Sequence, residues 1–330
     1  MCKAISYASR DEWLEGRKKG MGGSDVASAL GLSPWRTPVE LWQEKRGESQ
    51  GQPCSEAMRW GTILETIIAD EFAKQTGFAV AEVPYTFVEG EEDWMRANID
   101  RAIVPTSETE PVVDDEPNFK KILECKTANA FSASQWGESQ LDEIKAGKVV
   151  SEHKIPLYYE TQIQWYMGLT GAEVCYVAVL IGGSDFRCYE VPRNQAVIDS
   201  LKEKMSDFWF NYVKAGKKPE AIDLDDVRHL YQVESGTMVE ASAETAVAIG
   251  EYRNLKGQID ALKKQLDAVA TQIGVAVGEN EGLTIGGEKA VTFKAQSRAT
   301  FDAKQLKADS PEIWAKYAGR SAPSRVLRVY

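Results

Sequence analysis

Apolar positions change their period several times along this chain, and each change marks an element. Over the first 80 residues they recur at helical spacing. Thr37-Pro38-Val39-Glu40 sets a hydroxyl at an N-cap, proline at the first helical position and a carboxylate three residues on, a capping box that predicts a helix start. Ser24, after Gly22-Gly23 and before an apolar-periodic stretch, is the expected N-cap of an earlier helix. A longer helix is predicted from near Ser55 to Gln75, closed by Gly77. From Phe78 to Thr127 the period falls to two, in FAVAEVPYTFVE, WMRANIDRAIV and KILECKT, which predicts the strands of a β-meander. A helix at about 154–169, a hairpin of AEVCYVAVLIG with FRCYEVP, and a helix over roughly 193–216 follow. This order predicts an α/β (α+β) chain with a mixed central sheet flanked by helices.

The character shifts near residue 235. Tyr252, Leu255, Ile259, Leu262, Leu266, Val269 and Ile273 are spaced alternately by three and four, an a/d seam over three heptads. A helix over 240–274 would reach roughly 50 Å. Its seam packs on the protein's own tail, forms a trimer contact or serves a partner; the pattern leaves all three open. GLTIGGEKAVTFKAQSRATF and PSRVLRVY read as strands around a short helix. Residues 1–234 are therefore expected to form the main domain and 235–330 a C-terminal helical/β accessory region.

Composition narrows the chemistry. Hydrophobic residues make up 43% and charged residues 27%, as in a soluble globular protein. No apolar run approaches the roughly 18 residues of a membrane span, and the N-terminus lacks a signal-peptide core, so a cytoplasmic location without membrane partners is expected. Cys2, Cys54, Cys125, Cys175 and Cys188 are odd in number and contain no C-x-x-C pair, which argues against disulfides, zinc and iron–sulfur clusters. With only His153 and His229 present, chemistry must rest on carboxylates and lysine. A net charge of −11 counts against a nonspecific nucleic-acid binder. It is compatible with a DNA enzyme that gathers a few cations in one channel. The acidic runs at 89–93 and 108–117 are expected as solvated loops.

The sharpest local feature is Leu123-Glu124-Cys125-Lys126-Thr127. In a strand Glu124 and Lys126 share a face. A carboxylate to hold a divalent metal beside an ammonium to orient or deprotonate the attacking water suits phosphodiester hydrolysis. Alone, such a triplet is as readily a surface ion pair. Asp100, at the close of the apolar strand before it, is a second hard oxygen ligand, and together they suit Mg²⁺ or Mn²⁺. Glu65 lies in an otherwise apolar helix, where a carboxylate is costly unless paired or metal-bound. Gln162 and Gln164 sit on the helix after the sheet; Gln162 either contacts the metal water or substrate or is ordinary helix-surface polarity. Trp35 and Arg36 either stack on a base or wedge a duplex, or Trp35 packs under the helix that begins at Thr37.

Taken together and in order, 20-GMGGSDVASALGLSPWRTPVELWQEKRG-47, 60-WGTILE-65, 96-RANID-100, 123-LECKT-127 and 162-QIQWYM-167 resemble the YqaJ-like viral recombinases. These are phage exonucleases related to lambda exonuclease, within the PD-(D/E)XK superfamily. The resemblance spans about residues 10–215. It implies a restriction-endonuclease-like core, with Asp100, Glu124 and Glu65 as metal-binding acids, Cys125 lending a backbone carbonyl, and Lys126 and Gln162 completing the catalytic set. It implies that Arg17, Ser24 and Asn98 face the 5′ phosphate of the shortened strand; a serine near a helix start and an arginine are suitable anion donors. It further implies a metal-dependent 5′→3′ exonuclease on linear double-stranded DNA that leaves 3′ single-stranded overhangs. A ring-shaped trimer, a single-strand annealing partner of the RecT or Bet type, and a phage or prophage source in a bacterial host complete what it implies. A structure- or site-specific endonuclease on the same core, or a non-catalytic DNA-end-binding assembly factor, are the alternatives.

Two departures from the family pattern stand out: Ile99 and Arg101 occupy positions that usually hold proline and glycine. An altered turn is expected there, with the aspartate still binding metal. The long acidic segment between Asp100 and Glu124 reads as an insertion at a hairpin tip rather than a loop shaping DNA entry.

Overall fold

The computed structural model describes residues 2–49, 55–90, 93–148, 150, 152–319 and 325–330. The chain divides into two units, Met1–Leu230 and Tyr231–Tyr330.

The first unit opens with β1 (Lys3–Ile5) and the short helices α1 (Arg10–Lys18), α2 (Gly23–Ala29) and α3 (Pro38–Lys45). The capping box forms at α3: the Glu40 amide donates to Thr37 Oγ1 (3.1 Å) and the Thr37 amide to Glu40 (2.9 Å). At α2 the expectation fails. Gly22 is the N-cap and Ser24 is already helical, because Asp25 reaches back to accept from the Gly22 amide at 2.8 Å. Helix α4 (Glu56–Thr76) begins at its Ser55 cap and ends at Gly77, whose φ of 76° suits glycine.

Four strands follow: β2 (Ala79–Glu82), β3 (Thr86–Glu89), β4 (Met95–Ala97) and β5 (Arg101–Val104). They do not form the expected meander. Strands β3 and β4 join β1 in a three-stranded sheet, whereas β2 pairs with β5 in the main sheet. Each stretch that reads as one strand is broken in the middle, at Val83-Pro84-Tyr85 and at Asn98-Ile99-Asp100, and changes sheet there. Proline cannot donate to a ladder, which accounts for the first break. Asp100 therefore precedes β5 rather than closing a strand. A two-residue hairpin, β6 (Val112–Val113) with β7 (Glu116–Pro117), turns through Asp114 and Asp115, both at positive φ (50° and 63°). The acidic segment is thus a hairpin insertion.

The main sheet is centred on β8 (Lys121–Ala128). After α5 (Leu141–Lys145) and α6 (Leu157–Thr170) come β9 (Val174–Ile181) and β10 (Asp185–Pro192), paired over their full length as expected. The order is β10-β9-β8-β5-β2, with β8 parallel to β9 and antiparallel to β5, so the sheet is mixed. Helix α7 (Gln195–Asp207) runs on into a π-helical segment Phe208–Lys214, and α8 (Leu224–Leu230) ends the unit. Alternation along β8 and β9 divides the core. Ile122, Cys175, Val177 and Val179 pack with Ile163 of α6 and Ile198 of α7. Leu123, Cys125, Tyr176 and Ala178 pack with Ile68 and Phe72 of α4 and Ile144 of α5. Helices cover both faces, the restriction-endonuclease-like arrangement that the sequence predicts.

The second unit holds α9 (Ala243–Val277), the hairpin β11 (Gly282–Ile285) with β12 (Glu288–Thr292), α10 (Ala303–Asp309) and α11 (Pro311–Tyr317). Residues 325–330 lie in neither helix nor strand, so the expected final strand is not found there. Among the described residues no helix is long and apolar enough to cross a membrane. Cys2, Cys125, Cys175 and Cys188 are free thiols, and Cys54 lies outside the described residues.

Candidate active site

The site arises where β5 and β8 part. Their register runs from Ile103↔Lys121 to Arg101↔Leu123 and stops. Beyond it the Cys125 amide would lack a ladder partner; it donates instead to Asp100 Oδ2 at 2.8 Å. One carboxylate thereby closes the strand ladder and stands beside Glu124.

Glu124 is 1% exposed. Its Oε1 accepts from Lys126 Nζ at 2.6 Å and from Gln162 Nε2 at 2.7 Å, while its Oε2 is buried with no hydrogen-bond partner. Gln162 Nε2 also donates to the Tyr166 hydroxyl at 2.9 Å, so both of its hydrogens are placed on acceptors and the amide is fixed. The Lys126 ammonium lies 4.9 Å from the Tyr159 ring centroid. Burial and the nearby Glu124 carboxylate hold the Asp100 pKa well above the ordinary carboxylate range. Burial likewise raises Glu124, against the pull of Lys126. Burial alone would depress Lys126, but Glu124 and Asp100 outweigh it and keep the ammonium charged. Two acids disfavoured as anions, one with an orphaned oxygen, form a donor set that a divalent cation would complete.

Glu65 takes the paired alternative. Arg101 Nη1 lies 2.6 Å from Glu65 Oε1 and donates to the Asp100 carbonyl at 2.6 Å. Glu65 is thus an ion-pair partner near the acids, and no group of three His, Cys, Asp or Glu at metal-binding spacing occurs among the described residues.

A cavity of about 250 Å³ joins these acids to the expected anion-binding residues: Arg17, Ser24, Asn98, Asp100 and Glu65 all line it. Arg17 Nη2 donates to Ser24 Oγ at 3.1 Å, and Asn98 donates to Thr86 Oγ1 at 2.7 Å. Backbone bonds bring these segments together, the Met21 amide to the Trp94 carbonyl (2.7 Å) and the Arg96 amide to the Met21 carbonyl (2.9 Å). The approach demands glycine: a Cβ on Gly20 would lie 2.1 Å from the Trp94 oxygen, and one on Gly23 would lie 2.3 Å from the Tyr166 ring.

Arg96 and Tyr7 belong to this cavity and escaped the sequence reading. Arg96 is 7% exposed, its Nη1 donates to the Tyr7 hydroxyl at 2.7 Å, and its Nε has no partner. No neighbour in the sequence marks it, because its lack of a carboxylate partner arises only in the packed chain.

The structure separates Trp35 from Arg36. Trp35 is 56% exposed rather than packed under α3, and meets Tyr158 edge-on at 4.9 Å between centroids; Tyr158 meets Tyr159, which carries Lys126. Arg36 turns inward, to Asp25 at 2.7 Å and Glu44 at 2.6 Å, so its charge serves the fold rather than a ligand. Lys45 completes the cluster at 2.6 Å from Asp25. Gln164 also serves packing, donating to the Pro192 carbonyl at 2.9 Å and accepting from the Asn194 amide at 2.9 Å.

Residues 12–173 match the YqaJ-like viral recombinase domain. A protein of Bacillus subtilis strain 168 that carries the name YqaJ is 33% identical over 322 residues, covering 94% of this chain and 91% of that protein. The chain belongs to the YqaJ-like viral recombinase family. Solved structures of similar shape include an alkaline exonuclease, LHK-Exo, from Laribacter hongkongensis, with a TM-score of 0.44, 20% identity, and coverage of 62% of this chain and 93% of that one. Another is a phage-related exonuclease from Haemophilus somnus 129PT, with a TM-score of 0.41, 14% identity, and coverage of 59% and 94%. Within this member of the YqaJ-like family, Glu124, Lys126 and Gln162 form one hydrogen-bonded network, Asp100 bonds the Cys125 amide between two of them, and Arg17, Ser24 and Asn98 line the same cavity as Asp100.

Proposed function

We propose that this chain is a metal-dependent exonuclease that digests linear double-stranded DNA from 5′ to 3′ and leaves 3′ single-stranded overhangs. The observation that carries the reading is one cavity in which Asp100 stands with Arg17, Ser24, Asn98 and the uncompensated guanidinium of Arg96. Acids and phosphate donors lining one cavity suit an enzyme that holds a terminal phosphate while cutting nearby.

Asp100, the free oxygen of Glu124 and the Cys125 carbonyl would hold Mg²⁺, which keeps several waters and needs few protein ligands; Mn²⁺ would substitute. A cation bound there would lower the pKa of a coordinated water and offset phosphate charge. Gln162 holds Glu124 in place, and Lys126, kept protonated, places positive charge where phosphorane charge develops. Trp35 and Tyr158 form an aromatic edge suited to stacking on a base. The family resemblance extends the proposal to a ring-shaped trimer and to a RecT- or Bet-type annealing partner in recombination of a phage or prophage.

The test is digestion of linear duplex labelled at one 5′ end, with Mg²⁺ or chelator, beside Lys126→Ala and a closed circular control. Release of the 5′ label as mononucleotide from linear DNA alone, dependent on Mg²⁺ and Lys126, is expected. Nicking of the circle would replace this reading with the endonuclease; end binding without cutting would replace it with the assembly factor.

A further inference from the structure

Charge is divided unevenly along this chain. Residues 289–330 hold nine of its 39 lysines and arginines but only three of its 50 aspartates and glutamates, so this segment carries +6 and the 288 residues before it carry −17. The segment comprises most of β12, an open stretch over 293–302, the short helices α10 and α11, and the open residues 325–330. Neither helix buries a residue. Most of its cations are not spent on the fold. Among the described residues Lys294 pairs with Glu281 at 2.5 Å, whereas Lys289, Arg298, Lys304, Lys307 and Arg328 meet no carboxylate. Lys304 and Lys307, three apart on α10, share one face. Aromatic rings alternate with these charges: Phe293, Phe301, Tyr317 and Tyr330 are 65–88% exposed, each within three residues of a lysine or arginine. Nor are the rings spent on α9, whose seam from Tyr252 to Ile273 is 38–68% exposed, so it is not the face of a hairpin folded on the protein's own tail.

We propose that residues 289–330 bind single-stranded DNA. Two demands define the ligand: a line of negative charge for the cations and flat apolar faces for the rings. A single strand meets both, because its unstacked bases present their faces beside the phosphates. A duplex offers the phosphates but keeps its base faces stacked inside. An acidic protein offers charge without flat faces at regular spacing. The −17 of the preceding residues repels a polyanion, which confines its capture to the places where cations gather. For the exonuclease proposed above, the strand left single by digestion is the natural ligand. The site itself rests on the charges and rings of this segment and requires no catalysis.

Fluorescence anisotropy of the full chain with a labelled oligothymidylate tests this, in chelator so that nothing is cut and without a 5′ phosphate so that the cavity at Arg17 and Ser24 is not engaged. The parent is compared with Arg298→Gln/Lys304→Gln/Lys307→Gln and with Phe293→Leu/Phe301→Leu, all at exposed positions. Removing three cations is expected to make the dependence of log affinity on log salt shallower by about two. The leucines keep apolar area and remove the stacking face, and are expected to weaken binding about tenfold at unchanged salt dependence. Far-UV circular dichroism of each variant reports its fold. A parent that does not bind, or binding unmoved by either variant, would overturn the proposal. Equal affinity for a duplex of the same length, or sensitivity to the charges but not to the rings, would reduce the segment to a general polycation and also overturn it. Displacement by polyglutamate or anionic phospholipid vesicles as readily as by unlabelled oligothymidylate would assign it to an acidic protein or a membrane instead. Absence of cleavage with Mg²⁺ beside intact single-strand binding would reject the nuclease reading alone.

Discussion

Arg101 holds Glu65: its Nη1 stands 2.6 Å from the Glu65 carboxylate, and the same nitrogen reaches the Asp100 carbonyl. Arg101 is one of the two departures from the family pattern visible in the sequence, and it supplies the partner that Glu65 has here. Arg101→Gly is expected to release Glu65 toward Asp100 and tighten Mn²⁺ binding roughly tenfold, the scale at which groups around metal ligands act. Titration calorimetry would read this, and unchanged or weaker binding would show that the ion pair does not restrain the site.

Lys126 touches Glu124 and lies against Tyr159. Lys126→Met keeps its length and removes its charge. A loss of about 10²–10⁴ in the single-turnover rate is expected, with DNA-end binding within a few-fold. A comparable loss in binding would assign the lysine to substrate capture instead.

Asp100 works against the fold when no cation is bound. Its pKa is raised by burial and by Glu124, so the folded state favours the neutral acid. The sign follows: a raised folded-state pKa favours folding at low pH, and that contribution is lost as pH rises through the folded value. Asp100→Asn keeps an acceptor for the Cys125 amide and cannot ionise. In chelator at neutral pH it is expected to raise Tm by a few degrees, about 1–2 kcal/mol, with the gap closing toward pH 4. Thermal unfolding across pH checks this, and a lower Tm at pH 7 would refute it.

Asp25 behaves in the opposite sense. Burial alone would raise its pKa, but Lys45, Arg36 and Arg17 bring it below the ordinary 3.8. A depressed folded-state pKa contributes stability at neutral pH that is lost as pH falls below that ordinary value. Asp25→Asn strands buried Lys45, leaves Arg36 with Glu44 alone, and is expected to cost about 3–5 kcal/mol. Denaturant unfolding at pH 7 and pH 3 would measure it; an equal cost at both would reject the electrostatic origin.

Arg96 and Arg17 are the cations of the cavity. Arg96→Met is expected to abolish most of the preference for 5′-phosphorylated over 5′-hydroxyl ends, about tenfold or more in kcat/KM, through KM rather than kcat. Equal losses on both substrates would mean that Arg96 supports the fold through Tyr7.

What could be read directly from residue order was local or pairwise. The capping box at Thr37, the αL stop at Gly77 and the hairpin of β9 with β10 depend on side chains within a few residues of the backbone they satisfy. Glu124 and Lys126 share a face because strands alternate. The match of five ordered segments also placed Arg17 with Ser24, which proved to be hydrogen-bonded.

Misreadings arose where a neighbour distant in sequence competes. Ser24 lost its cap position to Gly22, whose amide donates to Asp25, a buried charge held by Lys45 and Arg36. Arg36 looks like a lone charge beside an exposed aromatic, yet Asp25 and Glu44 claim it. Arg96 was overlooked because nothing adjacent marks it as unpaired.

The residue pattern thus established the mixed sheet between helices, the acids and lysine of β8, and the heptad stripe of α9, because period and local capping are properties of short segments. Tertiary structure alone settled that Asp100 bonds the Cys125 amide, that Glu65 pairs with Arg101, that Arg96 is buried without a carboxylate among the described residues, and that the stripe lies open. Those outcomes depend on which charges meet once water is excluded, and desolvation is a property of the packed chain rather than of any stretch of it.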